Sequence, residues 1–150
     1  MHTEADTNCR PGEDETAIEQ LLYGCASAMD QRRLEELSEY FADDIQADYG
    51  VLGRFQGLPA VRRVIAAALG KCAGTQHLMG TVRVRVEGGR AEAHSYLQAL
   101  HLGLGAYAGQ RMILWGEYHD RLERGAEGWR IVERRLVALY SEGDIGLAEK

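Results

Sequence analysis

A few polar side chains in this 150-residue sequence interrupt stretches that are otherwise apolar. Asp30 closes a helix-like run, Tyr49 falls in a strand-like segment, and His77 opens a strand just after Thr75-Gln76. His101 comes late in the next strand, and Arg134 stands between Val132 and Leu136. These residue types suit acid–base chemistry. An imidazole removes a carbon-bound proton near neutral pH because its pKa lies close to that of the medium. A carboxylate behind it fixes the tautomer and stabilises the imidazolium. A phenol holds a carbonyl oxygen as enolate charge builds, and a cation or second imidazole assists a departing hydroxyl.

Each residue also has a plain structural reading. An aspartate at a helix C-terminus opposes the helix dipole and is commonly solvated. Tyr23 and Asp30 both lie about a third of a turn off the apolar stripe of their helix. A strand-end histidine is commonly a satisfied polar group, and Arg134 is equally suited to a structural ion pair. The case for chemistry rests on the set, since one sheet and one helix end could bring all of them to one cavity.

The elements that would position them follow from periodicity. Thr16-x-x-Glu19 reads as a capping box, and Ile18, Leu21, Leu22, Cys25 and Met29 then recur at helical spacing. A short second helix fits "RLEELSEYF", a strand fits residues 45–51, and "GLPAVRRVIAAALG" reads as a third helix with Pro59 in its first turn. From residue 75 the pattern alternates. Val82, Val84 and Val86 lead to a Gly88-Gly89 hairpin turn, and two further long strands cover "GQRMILWGEYHDRLERG" and "GWRIVERRLVALYSE". Helices first and an antiparallel meander afterwards is an α+β layout. His101 shares its parity with Ala91, Ala93, Ser95, Leu97 and Ala99, small residues that leave room beneath them for a ligand. Tyr118 shares a face with Gly116. The last strand is apolar at both parities, with Trp129, Ile131, Val137 and Leu139 on one and Val132, Leu136, Ala138 and Tyr140 on the other. Such a sheet needs a second cover, so a homo-oligomer is expected.

Composition narrows the classes. The charge of -6 argues against nucleic-acid or anionic-membrane partners, and 45% hydrophobic with 27% charged residues is ordinary for a globular domain. No run is long enough to span a membrane, and the polar, acidic N-terminus has no signal-peptide pattern, so a cytoplasmic location is expected. Residues 1–13 are expected to be a disordered tail before a single domain over 14–150. Three scattered cysteines form no CxxC or Cys/His ligand set, so no metal is expected. Phosphate loops, GxSxG elbows and HExxH motifs are absent as well.

The segments "AIEQLLYGCASAMDQRRLEELSEYFADDI", "GLPAVRRVI", "TQHLMG", "GEYHDRLER" and "GWRIVERRL" resemble, in order and spacing, the SnoaL-like branch of the nuclear transport factor 2-like superfamily. The resemblance covers about residues 14–142. It implies a cone-shaped α+β barrel, a curved and mainly antiparallel sheet with three N-terminal helices enclosing an apolar pocket. The sequence is most similar to the subgroup of scytalone dehydratase, bile-acid 7α-dehydratase and hexachlorocyclohexane dehydrochlorinase, which drive elimination with a His-Asp pair. On that resemblance Asp30 and His77 match the pair, Tyr49 the pocket tyrosine, His101 a second pocket histidine, and Arg134 (or Arg135, one residue on) the last-strand arginine. Met29 stands where scytalone dehydratase has a tyrosine, and Tyr23 is the expected replacement. With Tyr118, Leu97 and Trp115, Tyr23 completes the expected substrate contacts. The implied activity is a cofactor-independent dehydratase acting on a small, hydrophobic, polyketide-like or steroid-like carbonyl compound of secondary metabolism. The alternatives are a cyclase or isomerase using the same base, and a non-catalytic binding or dimerisation module.

Overall fold

The structure, a computed structural model, describes residues 12–147. The expected N-terminal tail lies outside the described residues except for Gly12 and Glu13, which already belong to the first helix and its cap. Helix α1 runs Glu13–Asp30, earlier than the capping-box reading placed it, with Gly12 at the N-cap. Thr16 donates its backbone N–H to the Gly12 carbonyl and so sits inside the first turn. Three acids, Glu13, Asp14 and Glu15, occupy that turn where the helix dipole favours negative charge. Asp14 further accepts hydrogen bonds from Trp129 Nε1 and Arg124, tying the helix start to the last strands. Ile18, Leu22, Cys25, Ala26, Ala28 and Met29 form the buried stripe.

The expected second helix is a six-residue 3-10 segment, Leu34–Glu39, and helix α2 spans Leu58–Gly70. Six strands follow the order β2-β1-β6-β5-β4-β3, with β1 Phe41–Asp48, β2 Arg54–Gln56, β3 Cys72–Glu87, β4 Arg90–Gly103, β5 Arg111–Gly125 and β6 Gly128–Glu142. Pairing is antiparallel except between β1 and β6, so the sheet is mixed. The sheet is open, with β2 and β3 as its edges, and the expected barrel is not closed. Strand β2 is too short for periodicity to reveal. The Gly88-Gly89 turn joins β3 to β4 as read from the sequence. Among the described residues no helix is long and apolar enough to cross a membrane.

Two irregularities on β6 explain its apolar residues at both parities. Leu122 faces Ile131 across the ladder while Arg121 faces Glu133, which leaves Val132 as an extra residue. Buried positions therefore shift from Trp129 and Ile131 to Arg134, followed by the half-buried Leu136. A second shift leaves Leu139 extra, between Gly116↔Ala138 and Trp115↔Tyr140. A Cβ at Gly116 would stand 2.6 Å from the Val137 carbonyl, so glycine is needed where the strands draw together. The inference of two apolar faces from strict alternation is thereby corrected, since one buried face accounts for both sets in the first half of β6. Outward apolar residues remain at the other end, where Leu78, Gln98, Trp115 and Tyr140 form one row across β3, β4, β5 and β6.

Candidate functional site

Asp30 is the last residue of α1, and β3 crosses that helix end. His77 lies six residues into β3, and it faces the helix. Asp30 Oδ1 is 2.7 Å from His77 Nδ1, and Oδ2 accepts the His77 backbone N–H at 2.8 Å. A third bond comes from the Thr75 hydroxyl, which donates to Oδ1 at 3.0 Å. Thr75 and His77 share a face because strand residues alternate. Burial pushes the Asp30 carboxyl up, but the bonds from the His77 ring and backbone, the His77 charge and the Thr75 hydroxyl outweigh it. They hold the carboxyl below its ordinary value. The carboxylate occupies Nδ1 as a donor, which leaves Nε2 as the free ring nitrogen.

His77 borders an apolar cavity of about 440 Å³ beneath the inner face of the sheet, a volume that suits a small organic ligand. His101, Tyr49, Tyr118 and Leu97 line the same cavity, together with Leu136 and the segment from Gly143 to Ile145. Ala99 stands directly opposite His77 on β4, and its small side chain opens space beside the ring. The ring centroids of His77 and His101 are 6.0 Å apart, edge to face. Burial, and then the charge of His77, lower the pKa of His101, so it is neutral at neutral pH.

Tyr49 lies one residue past β1, at the start of a 3-10 turn over Gly50–Leu52, where the sequence suggested a strand. The turn carries its ring back over the core. It is 8% exposed, and its hydroxyl is buried without a hydrogen-bond partner. Burial raises its pKa, as it raises that of Tyr118 to about 12, so both phenols stay protonated as donors.

The structure does not bring the other expected residues to the cavity. Arg134 is 2% exposed and makes a paired bond to Asp120, at 2.8 Å from Nε and 2.9 Å from Nη2. Its guanidinium lies 3.8 Å from the Tyr118 ring centre and 5.5 Å from that of Phe41. It thus sits behind Tyr118, in the core, while Arg135 is exposed on the opposite sheet face. Burial works against the Arg134 cation, but Asp120 outweighs it and raises the pKa. Trp115 has outward parity and stacks 5.7 Å from Tyr140. Tyr23 is 38% exposed on the outer side of α1, where the helical period had already placed it.

Sequence reasoning passed over Asp120, Thr75 and Arg32. Asp120 was discernible, since it shares the inward parity of Gly116, Tyr118 and Leu122 and a buried acid needs a partner. Thr75 was equally discernible as the inward neighbour of His77. Arg32 carried no signal, because its role comes from an unusual backbone angle.

Comparison with known proteins gives a consistent result. The SnoaL-like domain matches residues 10–135. An uncharacterised protein of Mycobacterium tuberculosis strain H37Rv is 33% identical over 127 residues, covering 81% of this chain and 82% of its own. A candidate scytalone dehydratase from Novosphingobium aromaticivorans superposes with a TM-score of 0.79 at 21% identity, covering 87% of each chain. The LinA-type3 hexachlorocyclohexane dehydrochlorinase of Novosphingobium barchaimii gives 0.77 at 16% identity, covering 88% of this chain and 90% of its own. At these identities the two structures share the fold alone.

Proposed function

The chain belongs to the SnoaL-like domain family of the nuclear transport factor 2-like superfamily, and from that premise we propose that it is a lyase that eliminates water from a small hydrophobic β-hydroxy carbonyl compound. The observation that carries the reading is the 2.7 Å bond between Asp30 Oδ1 and His77 Nδ1, with the His77 ring at the wall of the apolar cavity. His77 Nε2 takes the proton from the carbon next to the carbonyl, and that bond's electron pair becomes the enolate. The phenol of Tyr49, buried with no partner of its own, donates to the enolate oxygen. Asp30 stabilises the imidazolium that forms.

The enolate then collapses and expels the β-hydroxyl. His77 returns its proton to that oxygen, while neutral His101 offers a ring N–H to it, so water leaves and a conjugated carbonyl remains. Arg134 supports Tyr118 from behind in this scheme and does not meet the substrate. The apolar lining favours a polyketide-like or steroid-like ring system. We also propose that the outward apolar row through Trp115 and Tyr140 pairs with a second copy of the chain.

The test incubates the chain with a panel of β-hydroxy ketones, following enone absorbance and product mass. Loss of one water, abolished in His77→Ala, is the expected result. A product of unchanged mass would replace elimination with isomerisation. Turnover of a true substrate at wild-type rate by His77→Ala would remove the base assignment.

A further inference from the structure

Asp30 is held by more than the histidine it serves. Arg32, two residues past it, has a φ of +60°, a left-handed conformation that a residue with a side chain seldom adopts. That turn of the backbone folds its side chain back over the end of α1. Its Nη1 reaches the last carbonyls of the helix, Asp30 at 3.2 Å and Met29 at 3.0 Å, the latter also accepting the Arg32 backbone N–H. The same nitrogen donates to Thr75 Oγ1 at 2.9 Å, so its two N–H groups serve three acceptors, with one shared between neighbouring oxygens.

Direction follows from the donor inventory. A guanidinium has no acceptor, so the Thr75 hydroxyl can only accept from Arg32. Its single proton is then free to point at Asp30 Oδ1, 3.0 Å away. That oxygen is the one that bonds the His77 ring. Asp30 Oδ2 is pinned separately by the His77 backbone N–H. A carboxylate at a helix C-terminus faces the negative end of the dipole, and the Arg32 cation beside it offsets that cost.

We propose that Arg32 and Thr75 are positioning residues for the Asp30–His77 pair: a one-way hydrogen-bond relay from Arg32 through Thr75 fixes the carboxylate so that His77 carries its ring proton on Nδ1 and presents a bare Nε2 to the cavity. The inference rests on the reading of His77 as the base. It names residues that meet neither substrate nor the transferred proton.

The test uses the full chain with labelled histidine and aspartate, reading the His77 ring nitrogens and the Asp30 carboxyl carbon by NMR. Thr75→Val keeps the shape and strand preference while deleting the hydroxyl. Its expected results are a mixed His77 tautomer and an Asp30 carboxyl that titrates higher than in the wild type. On a substrate, kcat falls about ten- to a hundredfold, the value of one hydrogen bond to a charged group, with KM little changed. Thr75→Ser should restore all three, and Arg32→Met should move the tautomer and the carboxyl in the same direction as Thr75→Val. A purely structural threonine would lower stability without moving tautomer or titration, and that result overturns the proposal. Should Thr75→Val not fold, Arg32→Met carries the same two readouts. A tautomer that responds to Thr75 in a chain with no turnover upholds the relay and removes the base. An unmoved tautomer alongside elimination lost in His77→Ala removes the relay and keeps the base.

Discussion

Asp30 and His77 are joined twice, once from carboxylate to ring at 2.7 Å and once from carboxylate to backbone at 2.8 Å. The backbone bond sets the height of the carboxylate along β3, and the ring bond sets the plane of the imidazole. Two residues fixed in this way should act as one unit in a proton transfer. His77→Ala is expected to lower kcat by about a hundred- to ten-thousandfold with little change in substrate affinity. Asp30→Asn should lose much of the rate, because an amide does not stabilise the imidazolium. The double variant should be scarcely slower than His77→Ala alone. Rates that multiply in the double variant would show that the two residues work separately.

The same contacts give the protein an acid-sensitive element. Folding holds the Asp30 carboxyl below its ordinary value of 3.8. A depressed carboxyl contributes stability that is fully present above the unfolded pKa and is lost as pH falls through the folded one. Urea unfolding of wild type and Asp30→Asn should therefore differ most near neutrality, with the gap narrowing below about pH 4. A gap that persists unchanged to about pH 2 would mean that the carboxylate is not favoured by folding.

Arg134 and Asp120 are buried together, and the core closes over them. Removing one partner leaves the other charge unpaired, so Asp120→Leu should cost about 3–5 kcal/mol and lower Tm by roughly 10 °C. Adding Arg134→Met to Asp120→Leu should recover most of that loss, because an apolar pair of similar volume avoids the desolvation cost. Calorimetry on the three variants decides the matter. A double variant as unstable as the single one would assign Arg134 a packing role against Tyr118 and Phe41 beyond its charge.

Long elements were legible in the sequence because their periods are physical. The stripe of α1, the Gly88-Gly89 turn and the inward parity of Ala91 to His101 all follow from 3.6- and 2-residue repeats. The choice for Arg134 between a pocket cation and a structural ion pair stayed open in the sequence, because its partner Asp120 lies on another strand and faces it only through the register that the extra residue Val132 sets. Trp115 looked like a pocket residue by type, yet alternation from Tyr118 already gave it the outward face. Tyr49 left its strand because the chain turns at Gly50, whose φ is +63°. Local periodicity thus located the elements, while the side chains at their ends depended on tertiary contacts such as the crossing of β3 beneath Asp30.

The outward row leads to a prediction about assembly. Leu78 is 62% exposed and Tyr140 58%, and they end a row that runs through Gln98 and Trp115. Tyr96, on a neighbouring row, is 54% exposed. An apolar patch of this kind on a sheet face is commonly an interaction surface. A sheet face meeting its own copy about a two-fold axis would bury the patch twice over. Sedimentation of the wild type is expected to give at least a dimer, and Tyr140→Glu should shift it toward monomer by placing a charge within the contact. The fold of each subunit should survive, since Tyr140 lies outside the buried core. A wild type that sediments as a stable 16.6 kDa species would remove the proposed interface and leave this patch open to solvent.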